Sequence, residues 1–187
     1  MLHAFRAARE VGSYDELPVL PESIDFQVHL SRNSIAQPFF LICEHDTMVA
    51  QLLGEGRIEF QLSNVLYHTL EPGDHVYVPA GTPSRLIPEG ECVQIRYKPQ
   101  HAGLEGVAWY CERCRTELWR YEFATAEELP QHAYKRACEQ FNAEVSRRVC
   151  SNCGWEHPTL ELRDMRWEDV ARSLEMESVQ TETPAST

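Results

Sequence analysis

Four of the seven cysteines in this 187-residue chain fall in two C-x-x-C pairs, Cys111 with Cys114 and Cys150 with Cys153, with 35 residues between the pairs. Each C-x-x-C can turn as a knuckle that aims two thiolates at one ion while backbone amides face the sulfurs. Two knuckles complete a tetrahedral sulfur cage. Whatever else the chain does, its fold must bring residues 111–114 beside residues 150–153. Gly154 follows the second pair and permits left-handed backbone, whereas the first pair has Arg115 in the equivalent place, a less favourable residue. Four sulfurs close the coordination shell, so the expected site is structural, or electron-transferring if iron fills it. Sulfur softness does not separate iron from zinc. Cys43, Cys92 and Cys138 lie in apolar stretches and read as small core residues.

The rest of the chain divides around these pairs. Residues 1–26 read as a loop-rich lead-in with two prolines in VGSYDELPVLPES. Residues 27–104 hold short runs rich in Val, Ile, Leu, Phe and Tyr, broken by Gly and Pro, which is the pattern of an antiparallel sandwich or barrel. GEG at 54–56 and EPGD at 71–74 mark hairpin turns. Residues 105–160 carry the cysteine pairs, with a strand at TELWRYEF between them. Thr125 and Glu128 have capping-box spacing before QHAYKRACEQFNAEV, where Ala133, Ala137, Cys138 and Phe141 recur at helical intervals. A further amphipathic helix is expected over 161–175, and a disordered tail over 176–187.

Seventeen Lys and Arg against 29 Asp and Glu give a formal charge of -12, which repels a phosphate backbone and argues against a nucleic-acid partner. No apolar run is long enough to span a bilayer, and MLHAFRAARE lacks the apolar core of a secretory signal, so the expectation is a cytoplasmic protein without a membrane partner. An odd cysteine count with four in C-x-x-C pairs points to a reducing compartment and metal rather than to cystines.

PGDHVYVPAGTPS resembles the second cupin motif, G-x5-P-x-G-x2-H, at Gly73, Pro79 and Gly81, and departs from it at the histidine, where Ser84 stands. The stretch from CVQIRYKP through WYCERC to CSNCGWEHP resembles the carboxyl-terminal half of bacterial 3-hydroxyanthranilate 3,4-dioxygenases. The resemblance covers about residues 35–158 and is stronger after Gly103. It implies a mainly all-β fold, a single cupin β-barrel with a small four-cysteine, metal-binding α+β appendage of rubredoxin type, assembled as a homodimer. In that family a second iron sits inside the barrel on two histidines and a glutamate, a face that leaves positions open for substrate and O2. Those ligand places fall here on Leu41, Thr47 and Ser84. The resemblance therefore implies a degenerate barrel site without metal. Of the substrate-orienting places, the glutamate falls on Arg96 and the arginine on Pro88, with Arg85 three residues earlier as a substitute.

Glu44, His45, His68 and His75 are the side chains from which a rebuilt barrel site is conceivable, although EHD also reads as a charged hairpin tip and His75 follows a turn. Arg57, Arg85, Arg96 and Tyr97 are candidate contacts for a small aromatic or carboxylate ligand, because arginine pairs with carboxylate bidentately; an outward-facing arginine on a strand is the ordinary alternative. Three functions stand at this point. One is a cupin that has kept its sulfur-bound metal and lost dioxygenase chemistry, acting as a small-molecule binder or accessory protein. The second is a ring-cleaving enzyme on an aminophenol-like aromatic with an unorthodox metal set. The third is a rubredoxin-like electron carrier.

Overall fold

The computed structural model describes residue 9, residues 16–18 and residues 25–181. Most of the expected lead-in, and the last six residues of the expected tail, lie outside the described residues.

Alternating apolar residues between Gly and Pro turns generate eleven described strands in two antiparallel sheets. The first sheet runs in the order β1 (Leu17–Pro18), β2 (Phe26–Asn33), β9 (Cys92–Pro99), β4 (Thr47–Leu53), β7 (His75–Val78). The second runs β11 (Glu117–Ala124), β10 (Leu104–Tyr110), β3 (Phe40–Cys43), β8 (Ser84–Pro88), β5 (Gly56–Phe60), β6 (Tyr67–Leu70). The mainly β character expected from the sequence holds. The closed barrel does not: among the described residues no strand pair joins the two sheets, which face each other as an open sandwich. The wider sheet gains its extra width from β10 and β11, and helices rather than strands cover that extension.

Between the sheets Val49 and Val78 meet Ile58, Phe60, Leu70 and Leu86. A second core forms where Phe39, Leu41, Val107, Trp109 and Phe123 pack against α1 (Pro130–Ala143) and against Trp167 at the start of α3 (Trp167–Thr181). The short α2 (Val145–Arg148) leads into the second cysteine pair. Because β10 pairs with both β3 and β11, residues 105–124 continue the sheet begun by residues 40–43, and the two expected units share one core.

The helix expected after residue 130 is present, but it does not begin with a capping box. Its N-cap is Leu129 without a side-chain cap, and Pro130 occupies the first turn, where its fixed φ is already helical. Thr125 instead donates its hydroxyl to the Gly103 carbonyl at 2.9 Å, and Glu128 pairs with Arg136. The GEG turn is required by space as well as by its φ of +74°: a Cβ on Gly54 would lie 2.2 Å from the Glu91 carbonyl oxygen. The last helix runs to Thr181, beyond the expected 175. No helix among the described residues is long and apolar enough to cross a membrane.

Candidate metal centre and the sheet interior

The first cysteine knuckle closes the turn between β10 and β11, and the second follows α2. Their backbones repeat one another. In the first, the Arg115 amide donates to the Cys111 carbonyl (2.8 Å) and the Cys111 amide to the Thr116 carbonyl (2.8 Å); in the second, Gly154 donates to Cys150 (2.9 Å) and Cys150 to Trp155 (2.8 Å). Both turns need left-handed backbone at their fifth residue, with φ of 61° at Arg115 and 70° at Gly154. Arginine is tolerated there because its guanidinium reaches the sheet, donating to Gln61 Oε1 (2.9 Å) and the Phe60 carbonyl (3.1 Å).

The four Sγ atoms lie within 4.8 Å of one another. Cys111 to Cys153 is 3.4 Å, Cys114 to Cys150 is 3.5 Å and Cys114 to Cys153 is 3.6 Å. A tetrahedral ion with metal–sulfur bonds of about 2.3 Å sets its sulfurs about 3.8 Å apart, so the cage fits such an ion with a small expansion. Hydrogen bonds from the Thr116 hydroxyl and amide and from Asn152 pull the Cys114 thiol down to about 5. The Trp155 amide favours the Cys153 thiolate too, but the crowding sulfurs of Cys111, Cys114 and Cys150 push that thiol up to about 12. Four convergent sulfurs can all serve as thiolate ligands once a divalent cation offsets their charge. Among the described residues no other set of three or more His, Cys, Asp or Glu side chains converges in this way.

The second cluster lies inside the sandwich. Leu41 and Ser84 are register partners facing inward, each 1% exposed, and Thr47 is 4% exposed. Around Thr47 the interior is ionic. Arg96 donates from Nε to Glu16 Oε1 at 2.7 Å and from Nη1 to Thr47 Oγ1 at 3.4 Å. Lys98 Nζ lies 3.1 Å from Glu16 Oε2 and 2.8 Å from Glu105 Oε1, while the Tyr134 hydroxyl donates to Glu105 Oε2 at 3.2 Å. Burial opposes the charge on Glu16, yet Lys98 and Arg96 hold its carboxyl well below the usual range. Burial, then Lys98, pushes the neighbouring His29 down to about 3, so its ring is neutral. Burial, then Glu105, pushes the Cys43 thiol up to about 12. These groups fill the space with two fixed cations and their counter-ions, and a ferrous ion placed beside Thr47 would meet Arg96 directly.

Arg57, Arg85, Arg96 and Tyr97 do not share a site. Arg57 and Arg85 lie on the outer face of the six-stranded sheet, both paired to Glu59 at 2.8 and 2.7 Å, and Arg85 sits 4.7 Å over the Phe40 ring. A cavity of about 270 Å³ opens there, lined by Phe40, Phe60, Tyr67, Arg85, Tyr110 and His157. Arg96 points into the sandwich, and Tyr97, next along β9, points out beside Met48. Glu44 and His45 form the exposed β3–β4 turn, His68 lies on β6 and His75 on β7, so they do not converge.

No protein-family model matches the chain. A stretch of 48 residues is 38% identical to 3-hydroxyanthranilate 3,4-dioxygenase of Candida albicans. That match covers 26% of this chain and 27% of the relative, so the chain spans about a quarter of the length of the curated protein it matches. The resemblance to this family is thus found in the sequence comparison as well as in the motifs. Among solved structures, hydroquinone 1,2-dioxygenase of Sphingomonas sp. TTNP3 with 4-hydroxybenzoate bound aligns at TM-score 0.46 and 13% identity, over 50% of this chain and 70% of that one. A cupin-2 domain protein of Shewanella frigidimarina aligns at TM-score 0.45 and 15% identity, over 53% of this chain and 94% of that one.

Sequence reasoning missed Glu16, His29, Lys98 and Glu105. One signal was available for Lys98. In CVQIRYKP the apolar Val93 and Ile95 alternate with Gln94, Arg96 and Lys98, so one strand face had to carry all three polar side chains. Nothing local in YDELP marks Glu16 as their partner.

Proposed function

We propose that this chain is a cupin of the 3-hydroxyanthranilate dioxygenase type that has exchanged its catalytic iron site for a buried ion network. It keeps one iron or zinc ion on Cys111, Cys114, Cys150 and Cys153, and works as a small-molecule-binding or accessory protein, cytoplasmic and homodimeric. The observation that carries this reading is the pair of inward cations. The three family ligand places hold a hydrocarbon and two neutral hydroxyls, and Thr47, one of the three, already accepts a hydrogen bond from Arg96. A divalent ion there would need ligands that Leu41, Thr47 and Ser84 do not supply and would stand against charges of its own sign. Binding of a small aromatic or carboxylate ligand is assigned to arginine-bearing surfaces, with Arg85 over Phe40 offering a cation beside an aromatic wall on the outer face.

The four-sulfur site has no open position, so its ion supplies stability rather than substrate chemistry. Oxygen uptake tests the reading. Protein loaded anaerobically with ferrous iron and then given 3-hydroxyanthranilate in air is expected to consume no oxygen above the protein-free rate. Sustained, saturable uptake with ring cleavage would refute it.

A further inference from the structure

We propose that the cavity of about 270 Å³ beside the first cysteine knuckle binds a small aromatic monocarboxylate, and that the ion on the four cysteines governs its affinity by holding one of its walls. This rests on the reading above of a small-molecule binder that keeps one ion, and it names both the ligand class and what controls the site.

The two walls have different origins. One is sheet: Phe40 opens β3, Phe60 closes β5, Tyr67 opens β6 and Arg85 stands on β8, all joined through the β3–β8–β5–β6 ladders. The other is the metal centre. Cys111, Glu112 and Arg115 belong to the first knuckle, and His157 follows the second. His157 is placed by the backbone that brackets Cys150 and Cys153: its amide donates to the Arg148 carbonyl at 2.9 Å, its carbonyl accepts from Arg148 Nη1 at 2.8 Å, and Val149 bridges to Glu156. An ion on the four sulfurs joins the two knuckles into one body. Its removal leaves the sheet wall in place and loosens the other. A ligand that touches both walls therefore favours the ion-holding form, and by reciprocity strengthens the hold on the ion.

Charge and shape then set the ligand. Glu59 takes hydrogen bonds from Arg57 Nε at 2.8 Å and from Arg85 Nη2 at 2.7 Å, so one carboxylate faces two guanidinium groups and one positive charge is in excess. Glu112 and Arg115 offset each other on the lining, and burial holds the His157 pKa below its ordinary value, so its ring adds no charge. Arg85 bonds Glu59 through Nε and Nη2, and its Nη1 makes no hydrogen bond among the described residues. A guanidinium edge beside one excess positive charge suits a monocarboxylate. The walls ask for a ring: Phe40 and Tyr110 meet edge to face at 5.3 Å, and Arg85 lies 4.7 Å over Phe40. The volume is just under the roughly 300 Å³ at which ligand pockets begin, which suits a single ring.

Calorimetric titration of the zinc-loaded full chain with sodium benzoate and with benzamide, at fixed ionic strength, reads the site. Benzoate is expected to bind saturably, benzamide at least about tenfold more weakly, and Arg85→Met should bring benzoate down to the benzamide level. Hydrogen exchange on the same zinc-loaded samples locates the ligand: benzoate should slow exchange in residues 59–61, 111–115 and 155–157. Equilibrium competition for zinc with a chromogenic chelator reads the linkage. Saturating benzoate should raise the zinc affinity of the wild type at least about fivefold and leave that of Arg85→Met unchanged. The proposal is overturned by absence of saturable benzoate binding, by equal affinity for benzamide, by binding unaltered in Arg85→Met, by exchange slowed only elsewhere, or by a zinc affinity that benzoate does not change. A metal count on the same samples separates the two levels. Zinc held at the cysteines with no benzoate binding refutes this site alone, whereas a wild type that takes up no zinc refutes the metal-keeping reading beneath it.

Discussion

The four thiols converge from two short segments whose spacing already declares them, whereas the ion network assembles residues 16, 96, 98 and 105 from separate places in the chain and lies as dry as the hydrocarbon beside it. In the first region four thiol groups are brought together, and as thiolates they would need an external cation. In the second, opposite charges are brought together and leave no place for one. The chain thus carries one cluster that could hold a metal and one that, in the proposed reading, excludes it, and the difference lies in the charge the protein supplies for itself.

The comparison breaks most visibly at the cysteines. Cys111→Ser with Cys150→Ser is expected to abolish ion binding, removing a contribution on the order of 10 kcal/mol to the knuckle region. Heat unfolding of the double variant, or of the wild type with excess chelator, should show a midpoint lower by at least about 10 °C. An unchanged midpoint would mean that the sulfur cage is incidental.

The ion network is next. Lys98→Met removes the ammonium that Glu16 and Glu105 share and is expected to cost about 3–5 kcal/mol in denaturant unfolding, while Lys98→Met with Glu105→Gln should recover part of that loss. A double variant worse than the sum of its singles would contradict the pairing.

Acid sharpens the contrast further. Burial, then Lys98, pushes His29 from its ordinary 6.5 down to about 3 in the folded chain, so the unfolded chain binds more protons across that window and stability rises with pH through it. Glu16 adds in the same direction. Its folded pKa is depressed below the unfolded 4.5, so its contribution is present above that value and is lost as pH falls. Stability should therefore decline from about pH 6.5 downward, and His29→Gln should flatten the slope between about pH 6.5 and 4.5.

The smallest expected effect concerns the knuckle that carries arginine at φ 61°. Arg115→Gly relieves the backbone but gives up the bonds to Gln61 and Phe60, so it should stay within about 0.5 kcal/mol of the wild type, whereas Arg115→Ala keeps the strain and loses the bonds, falling by about 1 kcal/mol. Equal stability of the two variants would show that the left-handed turn is unstrained.

What the sequence made legible follows the same division. Cys111, Cys114, Cys150 and Cys153 are read from local spacing, and the hairpin strands and α1 from their periods of two and about three and a half. β8 escaped because Pro83 and Pro88 bracket a stretch in which only Leu86 and Ile87 are strongly apolar. The inward direction of Arg96 and Lys98 escaped for a deeper reason. Alternation shows that polar and apolar residues of β9 occupy opposite faces, but the usual assumption puts the apolar face inside. Here Val93 and Ile95 pack with Leu30 and Leu52 on the outer side, while Gln94, Arg96 and Lys98 fill the interior. That inversion is stable only because acids from residues 16 and 105 neutralise the cations, and pairing across 80 residues leaves no local trace. The capping-box spacing misled in the other direction, since Pro130 sets the helix start by its own ring.

Counting the metal by mass spectrometry in protein purified without chelator, before and after the paired change Cys111→Ser and Cys150→Ser, probes this picture at its centre. One ion per chain that vanishes in the altered protein is the predicted result. A second ion that survives the loss of the thiols would place a metal among the strands, where Arg96 and Lys98 leave it no room.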